Sequence, residues 1–157
     1  MPKTAKAEER LEELGIEVPQ VQVPLGAYVP AVISGHLIYV SGQLPLVKGE
    51  LTIKGMVGSE VSIEQGMEAA RRASINILAV LKNELGGFDR VERIVKITGF
   101  IASAPGFNRQ ADVMNGASEL FFQVFGEQGR HSRVAVGVSE LPLDSPVEIE
   151  IIAQISS

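Results

Sequence analysis

Residues 91–103, VERIVKITGFIAS, read as a β-strand that is apolar on both faces. Val95, Ile97 and Ile101 fall on one face, Ile94 and Phe100 on the other. Only two long helices can be read in the rest of the chain. Two helices cover one face of a sheet of five or six strands and leave the other bare. Something else must bury the bare face, and a second copy of the chain is the simplest supplier. The competing solution is a monomer with an apolar ligand cavity. The pattern favours the homo-oligomer.

The remaining elements follow from local signals. KAEERLEELG is a short helix that Gly15 can end. VPQVQVPLGAYVPAV, with its prolines, is extended or looped, with an edge strand over residues 28–32. HLIYVSGQLP holds a strand between turn residues, and ELTIKG a short third one. SIEQGMEAARRASINILAVLKNELGG is the clearest helix: Ser62 and Gln65 form a capping-box pair, and Gly86-Gly87 end it. Met67, Ala70, Ser74, Ile77, Leu78, Leu81 and Leu85 make its apolar or small face. GFNRQADVMNGASELFFQVFG is the second long helix, and RVAVGV and VEIEIIAQI are strands. The order strands, helix, strand, helix, strand, strand describes an α/β or α+β single sheet. Residues 1–157 read as one domain, with residues 1–19 as an N-terminal helical extension.

Composition removes several function classes. Fourteen Lys and Arg against nineteen Asp and Glu leave a net charge of −5, the wrong sign for a broad nucleic-acid footprint. The absence of cysteine excludes disulfides, thiolate nucleophiles and Cys-based metal sites. Two histidines, His36 and His131, are too few for a histidine-rich metal site and read as turn and loop residues. No Ser-His-acid arrangement stands out. No phosphate-binding glycine motif or metal motif appears. The charged N-terminus lacks a signal-peptide core, and no run is long enough for a membrane span, so the chain reads as cytoplasmic.

A few residues stand apart. Strand alternation puts Arg133, Ala135 and Gly137 on one face and three valines on the other. A guanidinium over small residues has room for a planar carboxylate; the plainer reading pairs it with a surface acid. Glu148 and Glu150 share a face of the last strand, either as a solvated stripe or as carboxylates that handle water. Asn115-Gly116 interrupts a helix where better helix formers are expected. The pair marks a close approach, an amide facing a site, or a tolerated surface pair. Tyr28 reads as a packed loop aromatic.

YVPAV, HLIYVSGQLP, EQGMEAARRASINIL, VERIVKITGFIAS, NGASELFFQVFG and RVAVGVSELPLDSPVEIEII, taken in order over residues 20–155, resemble the RidA/YjgF family, also called L-PSP endoribonuclease-like. The chain is similar to the longer subgroup with an N-terminal helix. The resemblance implies an α+β, chorismate-mutase-like fold: a single sheet of about six strands, two long helices on one face and a short N-terminal helix. It implies a homotrimer with sites in clefts between subunits. The implied activity is hydrolysis of reactive enamine and imine intermediates to 2-oxo acids and ammonia, with no cofactor and no metal. Counting from Leu141-Pro142, the family's carboxylate-binding arginine falls on Arg133 and its water-positioning glutamate on Glu148. Its pocket tyrosine falls on Tyr28, its helix asparagine on Asn115, and a backbone contact to substrate on Ala135. Glu150 would be a second acid beside Glu148.

The chain also departs from that pattern. Ser118 stands where active members often carry an aromatic, in an NxxY spacing. Ala135 and Gly137 replace a cysteine and a glutamate of a familiar version. A wider or differently lined pocket is expected, and the N-terminal helix is a candidate cover for part of the cleft. Two rival functions stay open. One is a non-catalytic, regulatory binder of small carboxylates or 2-oxo acids. The other is an endoribonuclease, which the acidic charge disfavours.

Overall fold

The computed structural model describes residues 3–21, 23, 24 and 26–157. Its elements are α1 (Lys3–Glu13), β1 (Ala31–Ser34), β2 (Leu37–Gln43), β3 (Leu46–Val47), β4 (Glu50–Leu51), α2 (Ile63–Leu85), β5 (Val91–Ala102), α3 (Gln110–Phe125), β6 (Ser132–Val138) and β7 (Val147–Ile155). The main sheet has five strands in the order β1-β2-β7-β5-β6, and β3-β4 form a separate two-stranded sheet. Only the β5-β6 pair is parallel, with α3 in the connection between them. This is the expected α+β, chorismate-mutase-like arrangement.

Two expectations shift. The strand expected at residues 28–32 begins at Ala31, three residues later, after the last proline of that loop. The ELTIKG strand is reduced to Glu50–Leu51 and pairs with β3 rather than joining the sheet, which therefore has five strands and not six.

The capping signals around α2 act as read. Ser62 Oγ accepts from Gln65 N at 3.1 Å, and Gln65 Oε1 accepts from Ser62 N at 2.9 Å. Gly86 closes the helix at φ 72°, a conformation that favours glycine. Between Ala73 and Leu81 the helix is buried all round, more than its amphipathic stripe implies. The Asn76 amide explains part of this: it donates to the carbonyls of Leu44 and Leu46 and draws the β3 segment onto the helix.

Both long helices lie on one face of the sheet, α2 over β2 and β7, α3 over β5 and β6. They also pack on each other, where Gly116 of α3 meets the Met67 backbone of α2 so closely that a Cβ would collide with the Met67 carbonyl. The mid-helix Asn-Gly pair therefore does mark a close approach. Val147, Ile149, Ile151, Ala153 and Ile155 of β7 point into this core.

Strand β5 is less regular than simple alternation. Register shifts between Val91 and Arg93 and between Ile94 and Lys96 place Ile94 and Ile97 together in the core, with Val95 displaced from that face. Phe100 stays on the helix-free face beside Val136 and Glu148. That face also presents Val32, Tyr39 and Val134, each more than 40% exposed.

Candidate functional site

Arg133 lies on the edge strand β6, with its side chain on the face covered by α3. Ala111, Asn115 and Ser118 recur at four- and three-residue steps, so one stripe of α3 faces it. Arg133 Nη1 donates to Asn115 Oδ1 at 2.9 Å and to Ser118 Oγ at 3.1 Å; Nη2 donates to the Ala111 carbonyl at 3.2 Å. All three partners are neutral. Among the described residues no carboxylate pairs with this guanidinium, so the surface-acid reading does not hold. The Nε edge has no protein acceptor among the described residues and remains available for an anion.

The face around the arginine is fuller than expected. Ala135 packs against the core. The space above Gly137 is taken by Gln110 and Ser103, and Gln110 Nε2 donates to Ser103 Oγ at 3.2 Å and to the Phe107 carbonyl at 2.9 Å. The absent side chain at Gly137 thus accommodates Gln110 and does not widen the pocket.

Sequence reasoning missed one contact. Ser118 Oγ and His131 Nε2 stand 2.8 Å apart, and His131 Nδ1 lies 2.6 Å from the Gly129 carbonyl. A carbonyl only accepts, so Nδ1 carries the proton; in the neutral ring Nε2 is then an acceptor for the Ser118 hydroxyl. Burial, with the nearby Arg133 charge adding to it, lowers the His131 pKa below its usual value and favours that neutral ring; the Gly129 bond opposes the shift only in part. The sequence shows no Ser-His-acid arrangement, and the structure adds a serine–histidine pair whose third group is the Gly129 carbonyl and not an acid. Its two members are 13 residues apart, on a helix and in the turn before β6, a spacing no periodicity flags. Ser118, Glu119, Phe122, Gly129, Arg130, His131 and Arg133 line a cleft of about 370 Å³.

Glu148 and Tyr28 meet elsewhere. Tyr28, Pro30, Gly42, Gln43, Pro142 and Glu148 line a second cleft, of about 130 Å³. A Cβ at Gly42 would collide with the Glu148 carboxylate, so this glycine makes room for it at the point where the β2-β7 register shifts. Burial, and secondarily the Glu150 charge, raises the Glu148 pKa above the usual carboxylate value. Glu150 itself is exposed two residues along the same face. Leu143 and Asp144, beside Pro142 at the rim, both adopt positive φ.

The two clefts do not join within one chain. Arg133 is on the helix-covered face, Glu148 is on the opposite face, and β5 lies between their strands. Nor does α1 cover either cleft. It docks at the far end of α3, where Arg10 donates to the Val124 carbonyl at 3.0 Å, and none of its described side chains lines either cleft. Among the described residues no three His, Asp or Glu side chains cluster as metal ligands, and no helix is long and apolar enough to cross a membrane.

This fold and this arginine-centred edge define a recognisable class. Residues 8–155 match the family described as "YjgF/chorismate_mutase-like, putative endoribonuclease", and the chain belongs to that family, also called RidA. The crystal structure of the protein Atu1372 with unknown function, from Agrobacterium tumefaciens, superposes with a TM-score of 0.91 at 43% identity, over 99% of this chain and 95% of that one. Protein TCP17 of Trypanosoma cruzi is 39% identical over 94% of this chain and 92% of its own length. A 2-iminobutanoate/2-iminopropanoate deaminase of Dermatophagoides farinae is 33% identical over 89% of this chain and 94% of its own.

Proposed function

We propose that this protein hydrolyses reactive enamine and 2-imino acid intermediates to 2-oxo acids and ammonia, at sites shared between subunits of a homotrimer. The observation that carries the reading is the Arg133 guanidinium, held by three neutral acceptors with one edge open to an anion. The deaminase relative supports the choice of substrate class.

The substrate carboxylate seats on the open edge of Arg133, with the Ala135 backbone beside it. Asn115 holds the guanidinium in place. The opposite wall comes from a second copy, whose Tyr28 and Glu148 face the imine. Glu148 takes a proton from water as the water oxygen bonds to the imine carbon. The same proton passes to the nitrogen, giving a carbinolamine; Glu148 then relays the carbinolamine hydroxyl proton to that nitrogen, the carbon–nitrogen bond breaks as the carbonyl forms, and ammonia leaves. The raised pKa of Glu148 suits it to these transfers. Positioning supplies much of the rate, because imines already hydrolyse in water. No step calls on a cofactor or metal. The exposed apolar side chains of the helix-free face supply the surface that would join the three copies. A cytoplasmic setting, where such intermediates are released by amino-acid dehydratases, fits this reading.

The test is ammonia release from freshly generated 2-aminoacrylate. Wild type accelerates release over buffer, and Arg133→Ala and Glu148→Ala fall back to the buffer rate with folding and oligomeric state intact. Saturable binding of 2-oxo acids at Arg133 without any acceleration would instead make the chain a carboxylate-binding module.

A further inference from the structure

We propose that Ser118 and His131 form a nucleophile–base pair that gives this protein a second activity, hydrolysis of small anionic esters through an acyl-serine intermediate. The geometry has the three parts such a pair needs. The nucleophile and base are 2.8 Å apart, and the base is oriented by a third group, the Gly129 carbonyl at 2.6 Å. The His131 ring is further held edge-on against Phe121, with centroids 6.3 Å apart.

The orientation of Ser118 is not the default for a helical serine. Ser74 in α2 turns back to the Ala70 carbonyl one turn earlier, at 2.8 Å. Ser118 instead aims its hydroxyl out of α3 at His131. Its oxygen also accepts from Arg133 Nη1 at 3.1 Å. An oxygen that gives its proton to His131 therefore stays bonded to a cation, which stabilises the charge it gains.

The pair opens into the 370 Å³ cleft that also holds Arg130, Arg133 and one carboxylate, Glu119. Arg130 is stacked 4.8 Å from the centroid of Phe122. Arg130 also donates from Nε to the Glu127 carboxylate at 3.1 Å, so Arg133, held only by neutral acceptors, is the guanidinium that selects an acyl group carrying its own negative charge. In the acylation step Ser118 Oγ bonds to the ester carbonyl carbon while its proton passes to His131 Nε2. The carbon–oxygen bond to the leaving alcohol breaks, and that alcohol departs with the proton. Water then gives a proton to Nε2, attacks the acyl-serine and releases the acid, and Ser118 regains its hydrogen. Glu148 takes no part, so this chemistry stands apart from imine hydrolysis although Arg133 serves both.

The test uses the full chain with mono-4-nitrophenyl succinate, an anionic active ester. Nitrophenolate release is followed alongside intact-mass and peptide mapping of the stalled protein. The expected result is release above buffer with a succinyl group mapped to Ser118. Ser118→Ala and His131→Ala each lower the rate by at least about 100-fold. An adduct mapped to any other residue, release no faster than with buffer and free imidazole, or a rate that survives in Ser118→Ala overturns the proposal. Mapping on wild type needs no variant to fold. Ammonia release is measured on the same preparation: activity on imines without the ester overturns this inference alone, and the reverse overturns the imine reading alone.

Discussion

Asn115→Asp changes one atom in the support of Arg133 and keeps the side chain's shape. Asn115 Oδ1 accepts from Arg133 Nη1 at 2.9 Å, so the new carboxylate makes an ion pair at the same position. The pair occupies one side of the guanidinium, and a bound substrate carboxylate would occupy the other. Two such carboxylates stand roughly 6–7 Å apart and repel by about 2.5 kcal/mol at an effective dielectric of about 20. Arg133 is only half-buried, so solvent and salt reduce this to roughly half. Affinity for a small 2-oxo acid should therefore drop by a factor of about 10. Stability should move the other way, upward by about 0.5–1 kcal/mol, as for a partly exposed pair. Calorimetric titration with 2-oxobutanoate and a urea melt at fixed protein concentration read both quantities. An Asn115→Asp protein that binds 2-oxobutanoate as tightly as wild type would refute the claim that the uncompensated Arg133 charge is the anion seat.

Three further predictions follow from individual contacts. Gly116→Ala gains about 1 kcal/mol of helix propensity, yet its Cβ meets the Met67 carbonyl of a packed helix, where overpacking costs about 3 kcal/mol; a net loss of about 2 kcal/mol should appear as a lower urea midpoint. Gly42→Ala pushes aside the Glu148 carboxylate, a flexible group, so ammonia release should fall at least about tenfold with the urea midpoint little changed. Glu148→Gln should abolish ammonia release while raising stability at neutral pH. The raised Glu148 pKa means that the folded state holds its proton more tightly than the unfolded state. That contribution is full below the ordinary glutamate value of about 4.3 and is lost as pH rises through the folded value. The advantage of Gln in urea melts should thus shrink toward zero as pH falls below about 4.

Much of this architecture is legible in the sequence because local signals and burial agree. The Ser62-Gln65 capping box and the Gly86 cap bound α2 as read. The Asn115-Gly116 anomaly marks two things at once: a glycine pressed on Met67 and an amide turned toward Arg133. Alternation places Arg133 with Ala135, and Glu148 with Glu150, correctly on their strands. What alternation cannot see is irregularity. Two register shifts in β5 move Val95 off the face of Ile97, and no residue type announces them. Nor can a one-dimensional pattern rank sheet order, which sets β5 between the strands of Arg133 and Glu148. The Ser118–His131 contact escapes for a related reason: it joins a helix face to a turn through tertiary packing alone.

The central claim is that Arg133 of one copy works with Glu148 of another. Co-expression of Arg133→Ala with Glu148→Ala tests it most directly. Each variant alone should release ammonia from 2-aminoacrylate at the buffer rate. In randomly mixed trimers about a quarter of the interfaces pair an intact Arg133 with an intact Glu148, so about a quarter of wild-type activity should return. Mixed trimers that assemble yet recover nothing would contradict a site shared between subunits.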